Sequence, residues 1–373
     1  MSAWIIFKHK EKLALSKTYF LSAGILSILF IASAAWSIAP ADAFEDAMKT
    51  SALLLFGGLF ISLCKTLDLN IVKPYFWLFP VSVIIAALIC TFDLATDMSL
   101  YRILHHKTET DIFNSSVMNR GVVCTVLSYF IALIFIKDMD AKHKYLLLGG
   151  LTVSVLAMLA LTQSQSGQLA FGVGLALALI FPQRYRISYY LLGGGIILGM
   201  FLTPYIVSIL FADLIGHAEE TSWLQDAFVG NRLEIWDFVI KYAMHNPLLG
   251  YGIEATRYVP AFEHDYLYHK EATILHPHNF AVQIWMEFGL LGTLICATIM
   301  GLFVKHISLI DNQTTKRAVT SLFIITLLFA SMTYGLWQGW WLGEFIFIMG
   351  ICVSLSKNPI TAPSENLTTQ TTK

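Results

Sequence analysis

Charge is what this chain has least of. Lys, Arg, Asp and Glu make up 13% of its 373 residues, against about 25% in an ordinary soluble domain. The formal net charge is −1 and no basic block interrupts it, so nucleic acid is not an expected partner. The five cysteines, Cys64, Cys90, Cys124, Cys296 and Cys352, form no CxxC pair and no metal-ligand spacing. They read as small apolar packing residues rather than redox or ligand groups. No small-residue cleavage site follows the first apolar run, which is therefore expected to stay in place as a helix. Internal repeats and a separate soluble domain are also missing, so residues 1–373 read as a single integral membrane domain.

Apolar sequence is abundant instead. Hydrophobic residues are 56% of the chain and the mean hydropathy is +0.66. Apolar runs fall at about 18–39, 50–64, 75–92, 118–136, 145–161, 167–181, 187–211, 280–304, 318–334 and 340–356. A bilayer crossing takes roughly 20 apolar residues, so the expectation is an all-α polytopic membrane protein with about ten spans. Numbering the tails and loops alternately from the N-terminus puts sixteen Lys and Arg residues in one set and eight in the other, although the poorer set has the longer loops. Cytoplasmic loops are the basic ones. Both termini are thus expected in the cytoplasm, and the two longest loops, about 93–119 and 212–279, on the outer face. The polar stretch 357–373 reads as a disordered cytoplasmic tail.

The larger outer loop carries helical signals. Asn231 followed by Glu234 resembles a capping box. Leu233, Trp236, Ile240 and Ala243 line one face of the helix it would open, and Asn246-Pro247 would end it. Gly250 and Gly252 then supply a turn around Tyr251. Arg232 falls in the first turn, where a guanidinium can pair with a neighbouring acid or clamp an anion. Arg120, at the outer lip of the fourth run, can snorkel to headgroups or face a polar cavity. The turn Ser164-Gln165-Ser166 is dense in hydrogen-bonding groups. Trp337, Trp340 and Trp341 read as an interfacial belt, with Glu344 one turn further in.

The stretch with most chemical potential is His276-Pro-His278-Asn279, just ahead of an apolar run that carries Gln283 and Glu287 one turn apart. Proline suits the first position of a helix, which would put His278 in the first turn. A helix N-terminus disfavours the imidazolium, so His278 is suited to act as a general base. The pair could also ligate a metal, but no third ligand stands out; the plain alternative is two interfacial polar residues. Further along, Gly289, Thr293, Ala297 and Gly301 recur every four residues, a small-residue ridge for close helix packing.

His278-Asn279, then nine residues, then Gly289-x-x-Gly292-Thr293 is similar to the signature of bacterial O-antigen ligases. That superfamily also holds O-antigen polymerases and protein O-oligosaccharyltransferases. The segment from Asn231 to the NPLLGYG run resembles the family's outer-loop helix, with Arg232 at its arginine, and the MNRG around Arg120 resembles another arginine-bearing span start. One departure stands out: many members carry Ser-Arg-Gly where this chain reads Ser164-Gln165-Ser166-Gly167.

The resemblance implies a GT-C-like glycosyltransferase of the bacterial inner membrane, with its site facing the periplasm. It would move a glycan from undecaprenyl pyrophosphate to lipid A–core without metal or other cofactor, inverting the anomeric centre. His278 would be the base. Arg232, Arg120, Asn279, Gln165 and Gln283 would bind substrate, and Gly289, Gly292 and Thr293 would pack the helix. A polymerase, which differs in its acceptor, and a protein O-oligosaccharyltransferase are the alternatives within the superfamily. A transporter of lipid-linked glycan is the alternative from another class, and ranks lower because the polar chemistry gathers at one face rather than at the midplane.

Overall fold

A computed structural model of the chain describes residues 16–108, 111, 114–220, 229–260 and 274–355. Among these, all regular structure is helical. Eleven helices build the frame: α1 Lys17–Ser33, α2 Pro40–Thr66, α3 Leu78–Ala95, α4 Asn119–Ile136, α5 Ala141–Leu161, α6 Gln165–Ile180, α7 Arg186–Glu220, α8 Val229–Ala243, α9 Phe280–Ser308, α10 Gln313–Ala330 and α11 Gly339–Leu355. Polar residues at the starts explain several boundaries. The side chains of Ser16, Asp140, Ser164, Asn279 and Asn312 accept from backbone N–H groups in the first turns of α1, α5, α6, α9 and α10. Those donors otherwise have no partner within the helix.

Each of the ten apolar runs coincides with one helix. By length and composition, seven of these suffice to cross a membrane: α1 to α5, α7 and α9. The other three are α6, of 16 residues, α11, of 17, and α10, which carries Lys316 and Arg317 in its first turns. The protein is thus a helical membrane protein, and α8 is the added element outside the runs. α4 is the centre of the bundle, with Val122, Val126, Leu127, Phe130 and Ile131 fully buried among α3, α5, α6 and α10.

Two irregularities shape the end of the bundle that matters here. Pro204 lies inside α7, and a proline has no N–H to give to the carbonyl four residues earlier. That carbonyl belongs to Met200, and the Trp285 indole of α9 donates to it instead, at 2.8 Å. α9 itself breaks at Gly289, whose backbone leaves the helical region (φ 56°, ψ −148°). A continuous helix would join Leu290 N–H to the Met286 carbonyl and Leu291 N–H to that of Glu287. The 247–252 segment takes over all four groups. Leu290 and Leu291 donate to the carbonyls of Pro247 and Leu248 at 2.8 and 3.1 Å, while Tyr251 and Gly252 donate to those of Met286 and Glu287 at 3.0 and 2.8 Å. The outer-loop segment is thereby stitched into the break backbone to backbone.

Such an approach leaves no room for a Cβ. One added at Gly289 would stand 2.6 Å from the Pro247 carbonyl oxygen, and one at Gly250 (φ 64°) 2.5 Å from the Glu287 carbonyl carbon. This corrects the expected four-residue ridge: Gly289 admits a loop, not a neighbouring helix. Thr293 is buried and returns its hydroxyl to the Gly289 carbonyl at 2.9 Å. A Cβ on Gly292 would meet the Phe288 side chain of the same helix, so this glycine serves the sharpness of the break.

Three further expectations change. α8 already runs at Val229, so Asn231 lies inside its first turn and does not open the helix. Its apolar stripe does form: Leu233, Ile240 and Ala243 are buried, the last two packed with Val282, Trp285 and Met286 of α9. Two of the three tryptophans expected as a belt are packed inside the protein, and Trp340 is half-buried. Trp341 is fully buried against Phe329 and Phe345, and Trp337 is 9% exposed. A buried polar partner explains Trp337 and is described below. The expected tail at 357–373 lies outside the described residues.

Candidate active site

The His276–Asn279 segment enters α9 differently from the expectation drawn from Pro277. Asn279 is the N-cap, its Oδ1 accepting from Ala281 N–H at 3.0 Å and Val282 N–H at 3.2 Å. An amide side chain caps far better than a proline ring, which can only follow a cap. His278 therefore stands one residue ahead of the cap rather than within the first turn, with φ at 55°. That left-handed backbone costs a non-glycine residue on the order of 1 kcal/mol. Neighbours hold it there. The Trp236 indole of α8 donates to the Pro277 carbonyl at 2.8 Å, and His278 Nδ1 lies 2.5 Å from the Thr333 carbonyl oxygen.

The second contact decides the chemistry of the imidazole. A carbonyl can only accept, so Nδ1 carries the proton and Nε2 is the basic nitrogen of the neutral ring. His276 lies beside it, ring centroids 4.3 Å apart, packed on Gly335. Burial, then the charges of His278 and Arg257, push the His276 imidazole down to about 4. Among the described residues its buried Nε2 has no hydrogen-bond partner.

The Thr333–Trp340 connection, of which the sequence analysis read only the tryptophans and those as a belt, gathers the site. It receives His278 at Thr333, and the Arg120 guanidinium at the start of α4 stands 5.5 Å from the centre of the Trp340 ring, a cation–π arrangement. Arg232 sits on α8 one turn before Trp236, the residue bonded to Pro277. Burial draws the Arg232 guanidinium below its ordinary value, yet a guanidinium keeps its charge in proteins. His278 and Arg120 thus meet one end of the bundle through Thr333 and Trp340, with Arg232 one helical turn from Trp236 on α8.

Asn279 and Gln283 reach the same end, but both are engaged. Asn279 caps α9, and Gln283 is fully buried, accepting from Leu336 N–H at 2.8 Å and donating to Glu287 Oε1 at 2.8 Å. Gln165 opens α6, half-buried, its own N–H directed to the Gln163 carbonyl; among the described residues no contact ties it to the His278 group. A further ion pair lies just past the stitched segment, Arg257 to Glu254 at 2.6 Å. Burial raises the Glu254 carboxyl above its ordinary value, against the pull of Arg257.

Residues 150–297 match the family model for O-antigen ligase. The matched stretch holds Gln165, Arg232, His278, Asn279, Gln283, Gly289, Gly292 and Thr293, while Arg120 and the Thr333–Trp340 connection fall outside it. The chain is 27% identical over 260 residues to a Rickettsia conorii protein named "Putative polysaccharide ligase", covering 67% of this chain and 62% of that one. Proteins of the same printed name from Rickettsia felis and Rickettsia typhi are 26% identical over 253 residues and 24% over 256, covering 66% of this chain and 60% and 61% of theirs. The chain thus spans about 60% of the length of these curated relatives. No solved structure matches it.

Proposed function

We propose that this protein is an O-antigen-type polysaccharide ligase that transfers a glycan from undecaprenyl pyrophosphate to a sugar hydroxyl of lipid A–core. The observation that carries the reading is the Nδ1–H bond from His278 to the Thr333 carbonyl, which makes Nε2 the proton acceptor. In the proposed reaction Nε2 takes the proton of the acceptor hydroxyl. The oxygen attacks the anomeric carbon as the bond to the pyrophosphate oxygen breaks, and the lipid pyrophosphate leaves with that electron pair. Direct displacement inverts the anomeric centre. Arg232 and Arg120 meet the charge on the leaving group, the kind of fixed donor that stabilises a developing anion. No metal is assigned a step. In this reading ten helices span the inner membrane, both termini are cytoplasmic and the His278 end faces the periplasm, as the distribution of Lys and Arg suggests.

The test is reconstitution of the purified full chain with lipid-linked glycan and lipid A–core, together and separately. Glycan on the core supports the ligase. Lengthened lipid-linked chains without the core would make it a polymerase, and no product in either arm would remove the glycosyltransferase reading.

A further inference from the structure

We infer that Gln283 and Glu287 are positioning residues for His278, acting through the Thr333–Trp337 segment. This rests on the reading of His278 as the base. Three residues on one edge of the α9 entry, His278, Gln283 and Glu287, hold three points of that segment in the same order. His278 donates to the Thr333 carbonyl, Gln283 Oε1 accepts from Leu336 N–H at 2.8 Å, and Glu287 Oε2 accepts from the Trp337 indole at 2.6 Å. Gln283 Nε2 then donates to Glu287 Oε1 at 2.8 Å, so the last two points are one connected network.

Both side chains are 0% exposed. Packing alone does not account for them, because an amide and a carboxyl buried among apolar groups cost more than apolar side chains of the same size. A fully bonded polar network instead fixes one arrangement of the chain around it. What this one fixes is the stretch carrying the Thr333 carbonyl, and with it the nitrogen that holds the His278 proton. The role is the one a carbonyl or carboxylate plays behind a metal-bound or catalytic histidine, where it sets tautomer and ring orientation. The matched family segment ends at residue 297, so half of this device lies in chain beyond it.

The test has two arms on the full-length protein in detergent. The first reads the His278 tautomer directly, by 15N NMR of histidine-labelled protein without substrate, with His278→Gln identifying its signals. Wild type should show His278 protonated at Nδ1. Gln283→Met, which has similar volume but no acceptor for Leu336 N–H, should show a mixture of tautomers. Trp337→Phe, which deletes one donor at the edge of the network, should shift the same balance less, and serves if Gln283→Met does not fold. The second arm follows glycan transfer against pH. Losing the Thr333 acceptor makes Nε2 less basic, so the acid limb of kcat should move to lower pH. In Gln283→Met, kcat should fall roughly tenfold with donor KM within about twofold, in the range of second-shell losses. Folded variants that keep the wild-type tautomer and limb, and lose only yield, would overturn the inference. A wild-type protein that transfers no glycan removes the proposed function alone, since the NMR arm judges the positioning without it.

Discussion

The two halves of α9, on either side of Gly289, are built to different rules. From Phe280 to Gly289 every residue is buried, including Gln283 and Glu287. From Leu290 onward the helix buries one stripe, Gly292, Thr293, Cys296 and Ala297, and turns Leu290, Leu291 and Leu294 outward at 40–55% exposure. The second half has one packed face and one apolar exposed face, the pattern suited to a lipid boundary. The first is an interior element, enclosed by α7, α8, the 247–252 segment and the 333–337 segment, and its far end presents His278. The break lets one helix serve both purposes, because the outer loop can replace its missing hydrogen bonds there.

The comparison breaks most visibly at His278. His278→Ala should lower transfer by at least about 100-fold, the lower bound of general acid–base contributions, while the protein still inserts and unfolds at the wild-type temperature. Transfer within a few-fold of wild type would deny the first half its chemical purpose. Gly289→Ala should act on the stitch instead. A left-handed backbone costs an alanine about 1–3 kcal/mol, and the methyl would meet the Pro247 carbonyl. Thermal unfolding in detergent should fall accordingly, together with transfer, and a wild-type midpoint would mean that the break is not a built feature. Between the halves, the same kind of truncation should differ sharply. Ile284→Ala, at 1% exposure, should cost about 2–5 kcal/mol as a core deletion. Leu294→Ala, at 55% exposure, should stay within about 0.5 kcal/mol.

Much of this was legible before the fold. Ten apolar runs became ten helices because a helix pairs the backbone of a long apolar stretch within the stretch itself. The α8 stripe was readable from helical periodicity. Contacts that depend on partners distant in sequence were not. Gly289 is spaced as a packing residue, and its local sequence carries no sign that Pro247 and Leu248 will meet it. Trp337 looks like a headgroup anchor until Glu287 is seen behind it. Asn279 was the one local signal that could have been read correctly, since an asparagine just after His-Pro-His outranks the proline as a cap. At Pro204 the missing N–H predicts an orphaned Met200 carbonyl, though not that Trp285 would find it.

The two histidines should also part company with pH. His276 is pushed down to about 4, chiefly by burial, while an unfolded histidine titrates near 6.5. Above that value both states are neutral and pH has no effect through this group. Between about 6.5 and 4 the unfolded chain takes up a proton that the folded one refuses, so stability should decline as pH falls across this window and level off below it. His276→Gln should flatten that part of the profile. A slope unchanged by the substitution would show that His276 is not held neutral in the fold.

The smallest expected effect separates two possible duties of Asn279. As the cap of α9 its side chain contributes about 1 kcal/mol, which Asn279→Ala should remove and Asn279→Asp or Asn279→Ser should largely restore. All three variants leave the His278–Thr333 bond with its own partners, so a cap-only residue predicts that transfer tracks stability across the series. A substrate contact predicts otherwise. If Asn279→Asp melts like wild type but raises donor KM, the amide NH2, which no cap bond uses, is reaching substrate, and a carboxylate beside a pyrophosphate repels it. The first half of α9 would then touch the donor at a second point, one residue from the base.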